Sequence, residues 1–372
     1  MLLKKKPSRP TARASARPAR AKSASRPDLV RFVVLGTGGI GRLHLRLLRE
    51  NPCAAVVGVY DVLPDVARQA AALFGVQRVY GSLAEAVGES KADAVIVCTP
   101  NLFHKEGVVA ALAAGKHCLC EKPLAASPAD IRAMIAARDR SGKLLMTAQH
   151  MRFEQRSRTL KRLIDAGRLG DVYYTRAWWL RRRLAPTTPG FLRKQQAGRG
   201  PGMDIGVHVL DLALHFLDQP QPVSVTGVAA CRLAHRADVA NQWGHFRSED
   251  FEVEDFAAGL IRFADGSALS LETSWLLNMI EPELYAVWLH GTQGGVRWPE
   301  LKLSHVQDGL LVDTQVVSEV GGDGHKHEQI AFIDAIRQSG PSPVPAEQSL
   351  TVAEVLAALY ESAETGREVR LD

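Results

Sequence analysis

Cysteine is sparse in this chain and long apolar runs are missing, and each shortage removes a class of protein. No stretch of the 372 residues approaches the length of about twenty apolar residues that a membrane-spanning helix needs, so no membrane partner is expected. The five cysteines, Cys53, Cys98, Cys118, Cys120 and Cys231, are an odd number without framework spacing, which argues for reduced thiols. Cys118 and Cys120 point to one face of a strand, but no further His or Cys stands at ligand spacing. They read as core, and no metal site is expected. Acidic residues are almost absent from the first 28 positions, where nine Lys/Arg face Asp28 alone. That segment carries +8 against a whole-chain charge of +6, which leaves −2 for the rest. The remainder is therefore nearly neutral, and the basic balance gives no support to specific nucleic-acid binding.

Residues 1–28 are mostly Ser, Ala, Pro, Arg and Lys, too poor in large apolar side chains to offset the entropy of ordering the chain. Disorder is expected there. The segment lacks the apolar core of a secretory signal and the adjacent arginines of a twin-arginine signal. Its Arg- and Ser-rich, acid-poor composition does resemble an organellar transit peptide. A cytoplasmic location is expected, with organellar targeting left open.

What is present is a regular alternation. Apolar runs of strand length recur at Phe32 to Leu35, Ala55 to Tyr60, Ala94 to Cys98, His117 to Cys120 and Leu144 to Thr147. Helical segments such as Lys105 to Ala114 and Pro128 to Arg140 lie between them, so the order predicts a doubly wound parallel α/β sheet of the Rossmann kind over residues 29–150. After His150 the rhythm changes. A helix is expected at Gln155 to Ala166, then strands at Val172 to Trp179, Phe256 to Phe263, Ser267 to Trp275 and Leu284 to His290, with Asp265-Gly266 as a hairpin turn. This predicts a C-terminal α+β domain with a largely antiparallel open sheet over residues 151–324. Helices at Glu328 to Gln338 and Ser349 to Thr365, within residues 325–372, are expected to pack at the domain junction.

The first strand runs into Gly36-Thr37-Gly38-Gly39-Ile40-Gly41, followed by a helical segment. Here Gly36 permits the tight turn, Gly38 lets the backbone approach a pyrophosphate, and Gly41 lets the helix pack closely on the strand. The helix N-terminus then offers unpaired N–H groups to the anion. The second strand ends in Asp61, 20 residues after Gly41, where a carboxylate would accept hydrogen bonds from ribose hydroxyls and repel a 2′-phosphate. The next residue is Val62 rather than Arg, so NAD is expected over NADP.

Two further segments carry chemistry. Cys120-Glu121-Lys122-Pro123 ends a parallel strand, and the proline keeps Lys122 out of a helix, so its ammonium is expected to project into the crevice beside a nicotinamide. Taken alone, a loop lysine is usually a solvated one. Asp204, His208 and Asp211 stand at i, i+4 and i+7 on one helical face among apolar neighbours, a polar stripe in need of partners that a substrate cleft would supply. Histidine suits proton transfer near neutral pH. A helix N-terminus with a satisfied histidine is the alternative. The run Arg181-Arg182-Arg183, with Arg176, Arg193 and Lys194, is a candidate anion subsite or, more often for such a run, a solvated or subunit-interface face.

Gly36 to His44, Cys98-Thr99-Pro100-Asn101 with His104, Leu112-Ala113-Ala114-Gly115-Lys116-His117, Glu121-Lys122-Pro123, the Asp204 to Asp211 segment and the ending Tyr360 to Gly366 together resemble the Gfo/Idh/MocA oxidoreductases. The resemblance covers nearly everything from residue 29 onward, with Arg199-Gly200-Pro201-Gly202 standing where many members have a Gly-rich run. It implies a Rossmann domain plus a C-terminal open sheet that mediates oligomers, here a homodimer or homotetramer. It implies catalytic roles for Lys122, Asp204 and His208, a cofactor site that includes Thr99, Pro100, Asn101, His104 and Glu121 beside Gly36, Gly38, Gly39, Ile40, Gly41 and Asp61, and a cis Lys122-Pro123 peptide. The implied reaction moves hydride between a secondary hydroxyl of a sugar, polyol or sugar derivative and nicotinamide. Two rival functions are a redox-neutral NAD-dependent glycosidase or epimerase, and an NAD-binding regulator without chemistry, against which Lys122, Asp204 and His208 together argue.

Overall fold

A computed structural model describes residues 29–317 and 322–371. The basic segment 1–28, read above as disordered, lies outside them. Five parallel strands, β1 (Val30–Leu35), β2 (Ala54–Tyr60), β3 (Ala94–Val97), β4 (His117–Cys120) and β5 (Leu145–Thr147), form a sheet in the order β2-β1-β3-β4-β5. Strand β1 has apolar side chains on both faces, as a strand covered by helices on both sides must. Phe32 and Val34 pack with α1 (Gly39–Glu50), α2 (Pro64–Phe74) and α10 (Gly324–Arg337). Val33 and Leu35 pack on the opposite face, with α3 (Leu83–Val87), α4 (His104–Ala113) and α5 (Pro128–Ser141).

The second sheet follows α6 (Gln155–Asp165) and holds nine strands in the order β13-β12-β11-β10-β6-β9-β8-β7-β14. These are β6 (Val172–Arg181), β7 (Pro222–Ala230), β8 (Phe256–Phe263), β9 (Ala268–Ser274), β10 (Glu283–Gly291), β11 (Gly294–Trp298), β12 (Lys302–Gln307), β13 (Leu310–Gln315) and β14 (Val369–Arg370). All pairings are antiparallel except β6 with β9. The Asp265-Gly266 turn joins β8 to β9 with Gly266 at φ 87°, as the sequence predicts. One face is covered: Ala177, Val225, Ile261, Leu271, Val287 and Leu289 bury against α9 (Val207–Phe216) and α11 (Ala346–Thr365). Among the described residues no helix covers the other face.

Helix α11 also joins the two halves. Val352, Val355 and Leu359 belong to the core under the large sheet, while Ala346 and Ala353 pack with the helices of the small one. Packing at the junction thus follows from one helix with apolar residues on more than one side. The short helices α7 (Pro189–Leu192) and α8 (Lys194–Ala197) lie between β6 and α9. Among the described residues no helix is long and apolar enough to cross a membrane.

Candidate active site

The crevice outside the carboxyl ends of β1, β3 and β4 is where an open parallel sheet binds its ligand. At β1 the chain turns through Gly36, at φ 83°, where a Cβ would stand 2.6 Å from the Cys98 carbonyl carbon. Gly41 is equally constrained, since a Cβ there would lie 2.1 Å from the Gly36 oxygen. Gly38 and Gly39 are the opposite case. They face open space, and Gly38 caps α1 without any side-chain hydrogen bond to its free N–H groups. A turn closed from behind and open in front, at a helix N-terminus with unpaired donors, fits a dinucleotide pyrophosphate. Asp61 braces this turn. Its Oδ2 accepts from the Thr37 N–H at 2.7 Å and the Thr37 hydroxyl at 3.1 Å, and its Oδ1 accepts from the Leu63 N–H at 3.0 Å. A carboxylate offers about four acceptor positions, so one remains beyond the three in use.

Around β3 and β4 the expected cofactor residues divide into two layers. The Thr99 hydroxyl is buried without a partner, and Pro100 and Asn101 continue the same loop. Behind it, His104 is 1% exposed, with Nδ1 and Nε2 each 2.8 Å from a carbonyl oxygen, those of Pro123 and Thr99. Burial lowers its pKa while these carbonyls oppose the shift. His104 therefore ties the Thr99 loop to the Lys122 loop, and its ring does not open onto the crevice. Glu121 is similarly recessed. Its Oε1 accepts from His44 Nε2 at 2.8 Å, and its Oε2 accepts from the Lys122 N–H at 3.2 Å. Burial alone raises its pKa, but the His44 hydrogen bond and the His44, Lys122 and His325 charges outweigh it and bring the carboxyl to about 2. Gln329 holds the far side of the His44 ring, its amide nitrogen 2.7 Å from Nδ1 and 3.2 Å from the His44 carbonyl oxygen.

Lys122 leaves this layer and crosses the cleft. The Lys122–Pro123 peptide is cis, and Lys122 Nζ donates to the Asp204 carbonyl at 2.8 Å and lies 3.4 Å from Asp204 Oδ1. The other carboxylate oxygen, Oδ2, accepts from the indole of the fully buried Trp275 at 3.2 Å. His208 stands on the next turn, 6% exposed, its ring 5.1 Å from that of His150 and 5.7 Å from that of Trp179. Its Nδ1 is buried without a hydrogen-bond partner. Burial, then Lys122, His150, His325 and Arg181, hold its pKa well below the ordinary histidine value. His208 is thus a neutral imidazole at pH 7, able to accept a proton.

The third member of the predicted stripe does not join them. Gly202–Gly206 is a π-helical turn rather than α-helix, so the i, i+4, i+7 register of a uniform α-helix does not run through Asp204. Asp211 turns instead into the core, where Arg152 Nε and Nη2 grip its two oxygens at 2.7 and 2.5 Å and both residues are buried. Burial raises the Asp211 pKa against the pull of Arg152. Breaking such a pair from one side costs about 3–5 kcal/mol, so Asp211 holds α9 to the turn at His150–Phe153 and is not a cleft residue.

Residues 30–149 match the Gfo/Idh/MocA oxidoreductase family with its NAD-binding Rossmann fold, and residues 157–297 match the Gfo/Idh/MocA C-terminal domain. The chain belongs to this family. It is 32% identical over 352 residues to the D-glucoside 3-dehydrogenase of Escherichia coli (strain K12), covering 94% of this chain and all of that one. The crystal structure of GenD2 from gentamicin A biosynthesis in complex with NAD superposes with a TM-score of 0.77 at 25% identity, covering 94% of this chain and 99% of that one. Levoglucosan dehydrogenase in complex with NADH shares the fold at a TM-score of 0.81 and 24% identity, over 92% of this chain and 99% of that one.

In this Gfo/Idh/MocA oxidoreductase three members of the basic cluster, Arg176, Arg181 and Arg193, are paired with carboxylates of the chain. Arg181 pairs with Glu283 at 2.7 Å, Arg176 with Glu272 at 3.5 Å and Arg193 with Asp250 at 2.7 Å. Arg182 and Arg183 donate to the carbonyls of Ile280 and Leu277. The structure also brings in residues that the sequence reading passed over. His150 follows β5 and His325 opens α10, and their rings stack at 3.8 Å beside His208. Burial brings the His150 pKa down to about 3 and lowers that of His325. Separations of well over fifty residues between these histidines left no local spacing to detect.

Proposed function

We propose that this protein is an NAD-dependent dehydrogenase that oxidises a secondary ring hydroxyl of a neutral sugar derivative, with a glucoside as the substrate class. The observation that carries the reading is the meeting of Lys122, from the end of a parallel strand, with Asp204 and His208 across the cleft. The likeness to a glucoside 3-dehydrogenase along nearly the whole chain supports the substrate class, and the pairing of Arg181, the arginine nearest His208, with Glu283 favours a neutral substrate over a sugar acid or phosphate.

Nicotinamide bound in the crevice supplies the hydride acceptor. The protein supplies the rest. Lys122 Nζ, already anchored on the Asp204 carbonyl, donates to the substrate oxygen and offsets the negative charge that grows there. Asp204, fixed by Trp275, accepts from the same or a neighbouring hydroxyl. His208 takes the hydroxyl proton on Nε2, which requires its N–H to sit on the buried Nδ1. An alcohol is far less acidic than an imidazolium, so this transfer succeeds only as hydride leaves the carbon. The unused acceptor position on Asp61 would take a ribose hydroxyl, and a 2′-phosphate there would meet a carboxylate, which supports NAD over NADP. The five cysteines, all free, support a cytoplasmic location.

The open face of the large sheet supports a homodimer or homotetramer. Arg176 stacks on Trp178 and Trp288 at 5.0 and 5.6 Å, and Arg297 on Trp288 at 5.1 Å, a patch of the composition found at subunit interfaces. Light scattering is expected to give two or four times the chain mass, and a monomer's mass would end that part of the reading. The function itself is tested by assaying glucosides, inositols, sugar acids and sugar phosphates with NAD and with NADP. Neutral glucosides with NAD should give the highest kcat/KM, with NADH accumulating alongside product. Product without NADH would instead mark a redox-neutral enzyme.

A further inference from the structure

Beside His208 lies a row of aromatic and cationic side chains, an aromatic shelf that proton and hydride transfer do not use. The Arg181 guanidinium lies 5.5 Å from the Trp179 ring and 4.7 Å from the Trp243 ring, stacked against both. Trp179 in turn is the ring that contacts His208. Glu283 Oε1 accepts from Arg181 Nε at 2.7 Å and from the Trp179 indole at 2.8 Å, so the shelf's one cation is already neutralised. Arg181 is 9% exposed, whereas Trp243 is 50% exposed.

Trp243 is exposed without being loose. Asn241 accepts from the Ala185 N–H and donates to the Ala185 carbonyl, both at 3.0 Å, and the Gln242 N–H donates to the Arg183 carbonyl at 2.9 Å. These bonds pin the loop between β7 and β8 to the end of β6, directly beside Arg181. A large apolar ring held half in water forgoes burial that would stabilise the fold, and burial is regained when a ligand covers it.

We propose that Trp243 is the platform of a second subsite, which stacks the aglycone of a glycoside whose reacting ring lies between Lys122 and His208. This rests on the sugar-oxidising function proposed above. The contacts from buried His208 through Trp179 and Arg181 end at the half-exposed Trp243, so the row runs from the reacting position toward solvent, as a group linked to the reacting ring must. Because Glu283 already holds Arg181, the subsite suits a neutral planar or apolar group, such as an aryl ring or the C–H face of a second sugar. A free monosaccharide leaves it empty.

The test compares methyl β-D-glucoside with phenyl β-D-glucoside on the full-length protein with NAD, in wild type, Trp243→Ala and Trp243→Phe. Trp243→Ala should raise KM for the phenyl glucoside roughly five- to tenfold, the value of one aromatic stacking contact. It should leave kcat and the methyl glucoside KM nearly unchanged, and Trp243→Phe should restore most of the loss. Titrating phenyl glucoside into the NADH-loaded protein should quench tryptophan emission in wild type and much less in Trp243→Ala. Equal effects on both sugars, no effect on either, or a changed oligomeric mass would overturn the subsite, the last by making Trp243 a subunit contact. If wild type oxidises neither sugar yet the quench depends on Trp243, the subsite stands and the proposed reaction falls. If turnover is normal and Trp243→Ala is silent, the reverse holds.

Discussion

Replacing His208 with Ala should lower kcat by about a thousandfold, within the range that general acid-base catalysis supplies, while NADH binding stays near wild type. The imidazole makes no hydrogen bond through Nδ1, so the variant loses ring packing against His150 and Trp179 but leaves no polar partner unsatisfied there. Intact NADH affinity, measured by fluorescence, separates lost chemistry from lost structure. The pH profile adds a second readout. The His208 pKa lies well below its ordinary value, so the acid limb of wild-type kcat/KM should fall below pH 6.5, the unperturbed histidine value of about 6.5 being the reference. Stability should move in the same direction. His150, His208 and His325 bind fewer protons folded than unfolded, so their contribution is full above the unfolded pKa and is lost as pH falls through the lowered folded values. A variant within tenfold of wild-type turnover would remove His208 from the mechanism.

Lys122→Met should cost about a hundred- to a thousandfold in kcat, the usual loss when one donor to a developing oxyanion is removed. Methionine keeps much of the side chain's length without the charge, so the loop geometry set by Glu121 and His104 should survive. The change frees the Asp204 carbonyl and carboxylate from their cation, but Trp275 still holds Oδ2. KM for the sugar should rise less than kcat falls, because the contact strengthens as charge develops on the substrate oxygen. Equal kcat with a raised KM would make Lys122 a binding residue only.

Much of this site can be read from sequence because its parts are local. Gly36 and Gly41 are required by a turn that closes within six residues, and Asp61 ends the strand that must neighbour that turn. Lys122 is legible because the proline after it fixes where the strand stops. The π-helical turn at Gly202–Gly206 is not legible, since a single widened turn leaves the apolar pattern of α9 intact while it displaces Asp204 relative to Asp211. Nor does any local pattern tell Asp211 that its partner is Arg152, 59 residues away. Strand β7 escaped notice for a related reason. Gly227 weakens its alternation, yet a Cβ there would stand 2.5 Å from the Leu359 carbonyl, so glycine is the residue that lets α11 lie on the sheet. The arginine run read as a possible anion site because its partners, Glu283, Glu272 and Asp250, come from distant strands and loops.

The account is tested most directly by a crystal structure of the protein with NADH and methyl β-D-glucoside bound together. One sugar hydroxyl should lie within hydrogen-bonding distance of both Lys122 Nζ and His208 Nε2, with the carbon that bears it facing the nicotinamide ring. A sugar seated so that its hydroxyls reach only one of those two groups, or one lying away from the β4–α9 cleft, would contradict it.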